Sequence, residues 1–476
     1  MGVFAPKIRQ VSNGLESQLQ RVGHWLSLRL EDGKPKNNIA VLDGVRGIAC
    51  LLVIAYHISL LTSRETKIWV PVGPDHPLFS SIAYAGASGV TLFFVLSGFL
   101  LFLPYAKSLL FDNAWPAARL FYLRRGFRII PAYYVCLFTI VLLSQQQYLQ
   151  RAHWKEFALF LTFFMDSTSA TNHQLNGPFW TLAVEWQFYL LLPLFAWGIS
   201  LIVKRGSLKW RLWKLAFCLA ALISWGVLTR YAGLYFALFR SRSFIVPRST
   251  LNIFIFFLYG TSGKYLEDFA VGMLIGFCYI CARSLPADHP FNILLRRMSI
   301  WLWRLGILLL LFMAMWHFDR SKFYTWPFLN WILRPGPFLN YYDWLSELGL
   351  SLGFGLCVIA ILFGSAGLQC TFRWNPLRWI GLISYSMYMW HLPLILFFLT
   401  NVGIHFQGWN AALVWAIYWG WVLIVIIPFS FLSYLFVEKP WMRLGERFRP
   451  RDEKPKLEVT LASPTDNMAE PVLAKK

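Results

Sequence analysis

Apolar residues along this chain collect into long runs separated by short polar and basic connections. Runs of spanning length lie near 41–62, 80–104, 129–145, 179–202, 212–232, 267–282, 300–318, 344–364, 379–400 and 411–437. Each can cross a hydrocarbon core of about 30 Å as a helix. The pattern predicts an all-α polytopic membrane protein with about ten transmembrane helices. Lys and Arg cluster in alternate connections: the amino-terminal segment, 105–128, 203–214, 283–299, 365–378, and again after Glu438. By the positive-inside rule both termini are then expected in the cytoplasm. The stretch 233–266 fits least well, because Arg240, Arg242, Arg248 and Lys264 would lie outside, around the short apolar run 251–260. It reads as re-entrant or interfacial.

Three segments follow. Residues 1–40 carry Lys7, Arg9, Arg21, Arg29, Lys34 and Lys36 around a mildly amphipathic stretch (Leu15, Leu19, Val22, Leu26). That suits an interfacial cytoplasmic helix better than a cleaved signal. Residues 41–445 form the membrane domain. Residues 446–476, with Pro450, Pro455, Pro464 and Pro471 among polar residues, read as a disordered cytoplasmic tail. No internal repeat is visible, and no second soluble domain is expected.

Composition agrees on the solvent: 57% hydrophobic, 18% aromatic and 14% charged residues, with a mean hydropathy of +0.51, exceed soluble globular usage. A multi-pass protein of the cell membrane is expected. The net charge of +21 sits in the connections, which points to topology and anionic-lipid contact and away from nucleic acid. The cysteines lie mostly in apolar runs, where a thiol behaves as a small hydrophobe, so no disulfide framework is expected. Cys278 and Cys281 make a lone CxxC without clustered His, and no metal site is predicted.

Polar residues inside the apolar runs are costly and are therefore functional candidates. The run LDGVRGIACLLVIAYH (42–57) holds Asp43, Arg46 and His57. Eleven residues at about 100° each stack Arg46 and His57 on one face roughly 16 Å apart. In SGVTLFFVLSGFL (88–100), Gly89, Ser97 and Gly98 suit close helix packing, with Ser97 as a nucleophile the alternative, if a base lies beside it. YLRRGFRIIPAYY (122–134) sets Arg124, Arg125 and Arg128 at the inner boundary of the third span. These are ordinary topological anchors or, since Arg125 and Arg128 share a face, a fork for phosphate. Glu185 lies about two turns inside the fourth span, with Tyr189 one turn later; it needs a partner, either in a structural ion pair or in His57, which should share its half of the membrane. Ser384, Tyr388 and His391 share one face of the ninth span, as helix packing or as part of a site. Glu438 and Lys439 before Pro440 are expected to stop the last helix and anchor it inside.

The runs LDGVRGIACLLVIAYH, GVTLFFVLSGFLL, RRGFRIIP, WTLAVEWQFYLLLP, ISYSMYMWHLP and the closing EKP come in the order found in acyltransferase family 3, which the chain resembles over about residues 38–445. These are integral-membrane proteins related to O-acetylases of O-antigen and other surface glycans. The resemblance implies that Arg46 and His57 match a motif for donor use and transfer, Arg125 and Arg128 an RxxR element, and Glu185 a fourth-span acidic residue. The second-span position that is commonly acidic in relatives is Thr91 here and receives no role. Some relatives add a soluble SGNH-type hydrolase domain, so a second transfer step outside the membrane would need a separate protein.

Residue chemistry and resemblance together suggest one mechanism. Acyl-CoA, most simply acetyl-CoA, is the expected donor, its phosphates held by Arg124, Arg125, Arg128 and Arg46. His57 meets the thioester as general base or transient nucleophile. Glu185 orients or charge-stabilises it, and Tyr189 donates to the oxyanion. Asp43, Ser384, Tyr388 and His391 support the site. The expected acceptor is a hydroxyl of a glycan or another molecule at the outer face. Two other classes remain: an unrelated membrane-bound O-acyltransferase, and a transporter or flippase of a glycolipid or small molecule, for which inverted repeats and paired broken helices would speak.

Overall fold

The structure is a computed structural model that describes residues 39–66, 77–239, 246–320, 339–406 and 408–448, with Arg21, Arg29 and Leu30. Among the described residues every regular element is helical, and eight helices are long and apolar enough to cross a membrane. These are α1 (Ala40–Thr66), α3 (Gly89–Phe111, preceded by the short α2, Pro77–Tyr84), α4 (Ala118–Ser144), α6 (Phe179–Val203, after the short α5, Trp154–Leu161), α7 (Leu208–Leu238), α10 (Pro290–Arg320), α11 (Tyr341–Phe363) and α15 (Ala412–Arg447). Between them stand α8 (Arg248–Leu258), α9 (Leu266–Arg283), α12 (Ala366–Arg373), α13 (Asn375–Leu382) and α14 (Ser384–Asn401).

Four expectations change. The run 267–282 is a helix, α9, but its 18 residues include Glu267, Asp268 and Arg283, too many charges for an apolar span. It is instead largely buried by its neighbours. The ninth span is not continuous: α13 and α14 meet at a 77° bend, so the pair counts as a ninth span only if taken together. α4 begins at Ala118, about three turns before the expected 129, which puts Arg124, Arg125 and Arg128 within the helix and not at its threshold. α15 does not stop at Lys439-Pro440. The π-helical turn Tyr434–Glu438 carries the chain past it; the proline has no N–H to give, which is tolerated where the i→i−4 ladder is already interrupted. The amino-terminal amphipathic stretch, Arg240, Arg242 and the tail beyond Phe448 lie outside the described residues.

Two close approaches set the geometry of the interior. A Cβ on Gly98 of α3 would stand 2.1 Å from the Phe269 carbonyl oxygen, and one on Gly272 of α9 2.1 Å from that of Val95. The two helices therefore touch backbone to backbone, as small-residue packing in membranes allows. A Cβ on Gly381 of α13 would lie 1.7 Å from the Asp43 carbonyl oxygen, and one on Gly44 2.1 Å from that of Phe372. The short helices α12 and α13 are thus drawn against the DGVRG turn of α1. The buried core runs through α1, α3, α4, α6 and α9, with a second cluster joining α1, α14 and α15.

Candidate active site

Arg46 of α1 and Arg125 and Arg128 of α4 share a cavity of about 470 Å³, together with Asp43, Tyr189 and Glu438. Arg124, their neighbour in sequence, is exposed and is not on that wall. At about 100° per residue, Arg125 and Arg128 fall on one helix face and Arg124 turns away. The Arg125 guanidinium stands 5.7 Å from the centroid of the Tyr189 ring, a cation–π distance. Glu438 is an electrostatic partner of Arg128 and accepts a hydrogen bond from Ser386 Oγ at 3.0 Å. The sequence marked Glu438 as a helix stop, although a carboxylate at the end of a long apolar run is itself a signal. Lys439 beside it donates to the Arg29 carbonyl.

Deeper in, a narrower cavity of about 60 Å³ shares Arg46, Ser97, Arg128 and Tyr189 with the first and adds Thr181, Glu185, Ser384 and Tyr388. Glu185 accepts from Ser97 Oγ at 2.7 Å and from the Tyr189 hydroxyl. The Thr181 and Tyr388 hydroxyls are 2.8 Å apart. Gly98 serves packing as expected, while Ser97 stands beside the carboxylate that the nucleophile alternative requires. Ser384 opens α14 at the bend, so the positive end of that helix dipole faces the same space.

His57 is half-buried further along α1 and is not among the residues lining this cavity. Its Nδ1 is 2.9 Å from the Val53 carbonyl oxygen and 3.4 Å from Nε2 of the fully buried His391. The carbonyl can only accept, so the network assigns the proton to Nδ1 and leaves Nε2 with its lone pair. His391 Nδ1 likewise donates to the Tyr388 carbonyl at 2.8 Å, leaving its Nε2 to face His57. Among the described residues no hydrogen bond joins Glu185 to His57; the group against His57 is His391, which the sequence left between helix packing and a supporting place in the site. The Tyr388 and His391 rings, 5.6 Å apart, link the cavity to the imidazole pair.

Other buried polar groups have partners remote in the chain, which the sequence reading did not match to them. Lys264 pairs with Asp166, which also accepts from Gln187 Nε2 at 2.9 Å. This pair lies outside the spanning helices, and burial lowers the Lys264 pKa below its ordinary value although Asp166 opposes the shift. Arg230 of α7 pairs with Glu267 of α9 at 2.5 Å. Thr91 donates to Glu347 of α11 at 2.9 Å. Among the described residues no group of His, Cys, Asp or Glu could hold a metal ion.

A family model described as an acyltransferase domain matches residues 39–435. The peptidoglycan O-acetyltransferase OatA of Listeria monocytogenes serovar 1/2a is 26% identical over 422 residues, covering 85% of this chain and 56% of that protein. A Bacillus subtilis (strain 168) protein bearing the name "Putative peptidoglycan O-acetyltransferase YrhL" is 26% identical over 430 residues, covering 85% of this chain and 55% of that one. The chain spans about half the length of these curated relatives. No solved structure matches.

Proposed function

The chain belongs to the acyltransferase family whose domain it matches over residues 39–435, and on that premise we propose that it is a membrane O-acetyltransferase moving an acetyl group from acetyl-CoA to a glycan hydroxyl at the outer face. The carrying observation is the convergence of Arg46, Arg125 and Arg128 on one cavity. Asp43 and Glu438 on the same wall offset part of the charge, but cations still outnumber anions there, and guanidinium groups pair well with phosphate. With both termini cytoplasmic, as the alternation of basic connections suggests, this cavity opens inside, where acyl-CoA is found. The domain limits proposed are 1–40, 41–445 and 446–476.

In this reading the nucleotide phosphates bind Arg46, Arg125 and Arg128, and Arg124 plays no part. The pantetheine arm runs past Ser97 and Tyr189 towards Tyr388. His57 lies eleven residues beyond Arg46, about 16 Å along the helix, and its Nε2 takes the proton of the acceptor hydroxyl as the oxygen attacks the thioester carbonyl. The carbon–sulfur bond breaks, and CoA leaves as its thiolate. The Val53 carbonyl and His391 hold the ring in the tautomer this needs. Glu185 fixes the Tyr189 and Ser97 hydroxyls on the donor path. A transient acyl-imidazole on the same nitrogen would give the same ester; trapping labelled acetyl on protein denatured without acceptor separates the two.

Release of CoA from acetyl-CoA by the purified protein, together with ester acetate on the envelope glycan, tests the reading. His57→Ala should lower both by at least about 100-fold at normal expression, the scale of a lost general base. Activity within about threefold of wild type, under half a kcal/mol per factor of two, would sink the mechanism. The bent helix pair α13 and α14 is a feature transporters also use, though there in pairs; a protein that moves a glycolipid without consuming acetyl-CoA would return the transporter reading.

A further inference from the structure

A third cavity, of about 140 Å³, lies at the opposite end of α1 from the arginines, and no role has been given to it. Tyr84, Trp180, Tyr265, His317, Tyr342 and Glu347 line it. At the roughly 30 Å³ that one water takes up in the liquid, the space equals about five waters, the scale of one sugar ring. Its position follows from ring contacts. Tyr56, next to His57, is 5.8 Å from Tyr84, and Tyr84 stacks on His317 at 4.6 Å. His57 therefore lies between two cavities, reached from the donor side through Tyr388 and His391 and from this side through Tyr56 and Tyr84. Val90 lines both cavities and is the partition between them.

The wall chemistry is that of a carbohydrate subsite. Aromatic rings offer apolar faces to the C–H face of a pyranose, as sites with an apolar lining and a few convergent polar groups do for small ligands. Trp180 and Tyr265 stand side by side at 5.3 Å. Glu347 accepts from Thr91, and no other hydrogen bond to it occurs among the described residues, so its carboxylate retains acceptor capacity for a sugar hydroxyl. His317 is hydrogen-bonded to the Tyr342 hydroxyl, which fixes a second polar group on the wall. Among the described lining residues none is a Lys or Arg that would meet the phosphates of a CoA nucleotide.

We propose that this cavity is the acceptor subsite, seating one sugar ring of a glycan so that a free hydroxyl points past Val90 and Tyr84 towards His57. The proposal rests on the transferase reading and is tested separately from it. The variants are Leu350→Trp, which fills the cavity without removing a hydrogen bond, and Glu347→Gln, which removes the charge and keeps the shape. Full-length protein is expressed in cells lacking their own copy, and alkali-released acetate is measured on the envelope glycan. Binding of acetyl-CoA to the same purified variants is measured by calorimetry, which also reports whether each has folded. The expected result is glycan acetate at least about tenfold lower in both variants with acetyl-CoA affinity within about twofold of wild type. Acetate within about twofold of wild type in either variant, or an equal loss of donor affinity, overturns the subsite. Wild-type protein that adds no acetate refutes the transfer reading itself, and that failure appears in the unmodified arm.

Discussion

Arg124 and Arg125 are adjacent in sequence and identical in chemistry, yet one is exposed and the other lines the cavity; replacing each with alanine isolates what the cavity does. Arg46 and Arg128 both act on the Arg125 guanidinium as like charges, and its attractive neighbours are Tyr189 and Glu185. Removing Arg125 thus relieves repulsion at the cost of one cation–π contact, itself about 0.5–2 kcal/mol. The empty protein should melt within a few degrees of wild type. With donor bound the balance reverses, because a charged hydrogen bond to phosphate is worth about 1.5–3 kcal/mol. Arg125→Ala should therefore weaken acetyl-CoA binding by about 10- to 150-fold, and Arg124→Ala by less than about twofold. Arg128→Ala is a poorer probe, since it also strands Glu438; pairing it with Glu438→Gln restores a fair comparison. Isothermal titration of acetyl-CoA against the purified variants reads the difference, and added salt should narrow it. Equal losses for Arg124→Ala and Arg125→Ala would refute the reasoning, since both would then act as surface charge.

Packing and topology carry further outcomes. Gly98→Val should abolish recovery of folded protein by fluorescence-detected size exclusion, because the first added carbon already meets the Phe269 carbonyl oxygen at 2.1 Å; normal recovery would mean α3 and α9 do not touch there. Burial lowers the Lys264 pKa despite Asp166, so desolvation outweighs the pair's attraction, and the stability linked to Lys264 should rise as pH climbs through that lowered value towards 10.5. Lys264→Met alone should cost about 3–5 kcal/mol by stranding Asp166, whereas Lys264→Met with Asp166→Asn should come within about 1 kcal/mol of wild type or above it; thermal melts in detergent decide, and equal losses in the two would contradict the account. Cysteines introduced at Asp112 and Gln147 should react with impermeant reagents from the cytoplasmic and outer side respectively; reaction from one side would remove the crossing of α4.

The sequence by itself determined the solvent, the helical class and most of the spans, because a spanning helix must be apolar along its whole length and that requirement is local. It also put Arg46 and His57 on one face, since both lie in one helix. What it could not decide was which of several equivalent residues come together. Spacing alone put Arg125 and Arg128 on one face, but Arg124 was still counted with them as a phosphate ligand until the cavity left it outside. Depth alone left Glu185 between a structural ion pair and His57, because depth does not fix azimuth; helix packing turns it to Ser97 and Tyr189 and brings His391 against His57 from a span more than 300 residues away. The bend at 383 and the π-helical turn that carries α15 through Pro440 leave no mark in the apolar pattern of the chain. The cavity at Glu347 and His317 is built from helix ends far apart in the chain, and only tertiary packing brings such ends together, because no local propensity records which helix stands beside which.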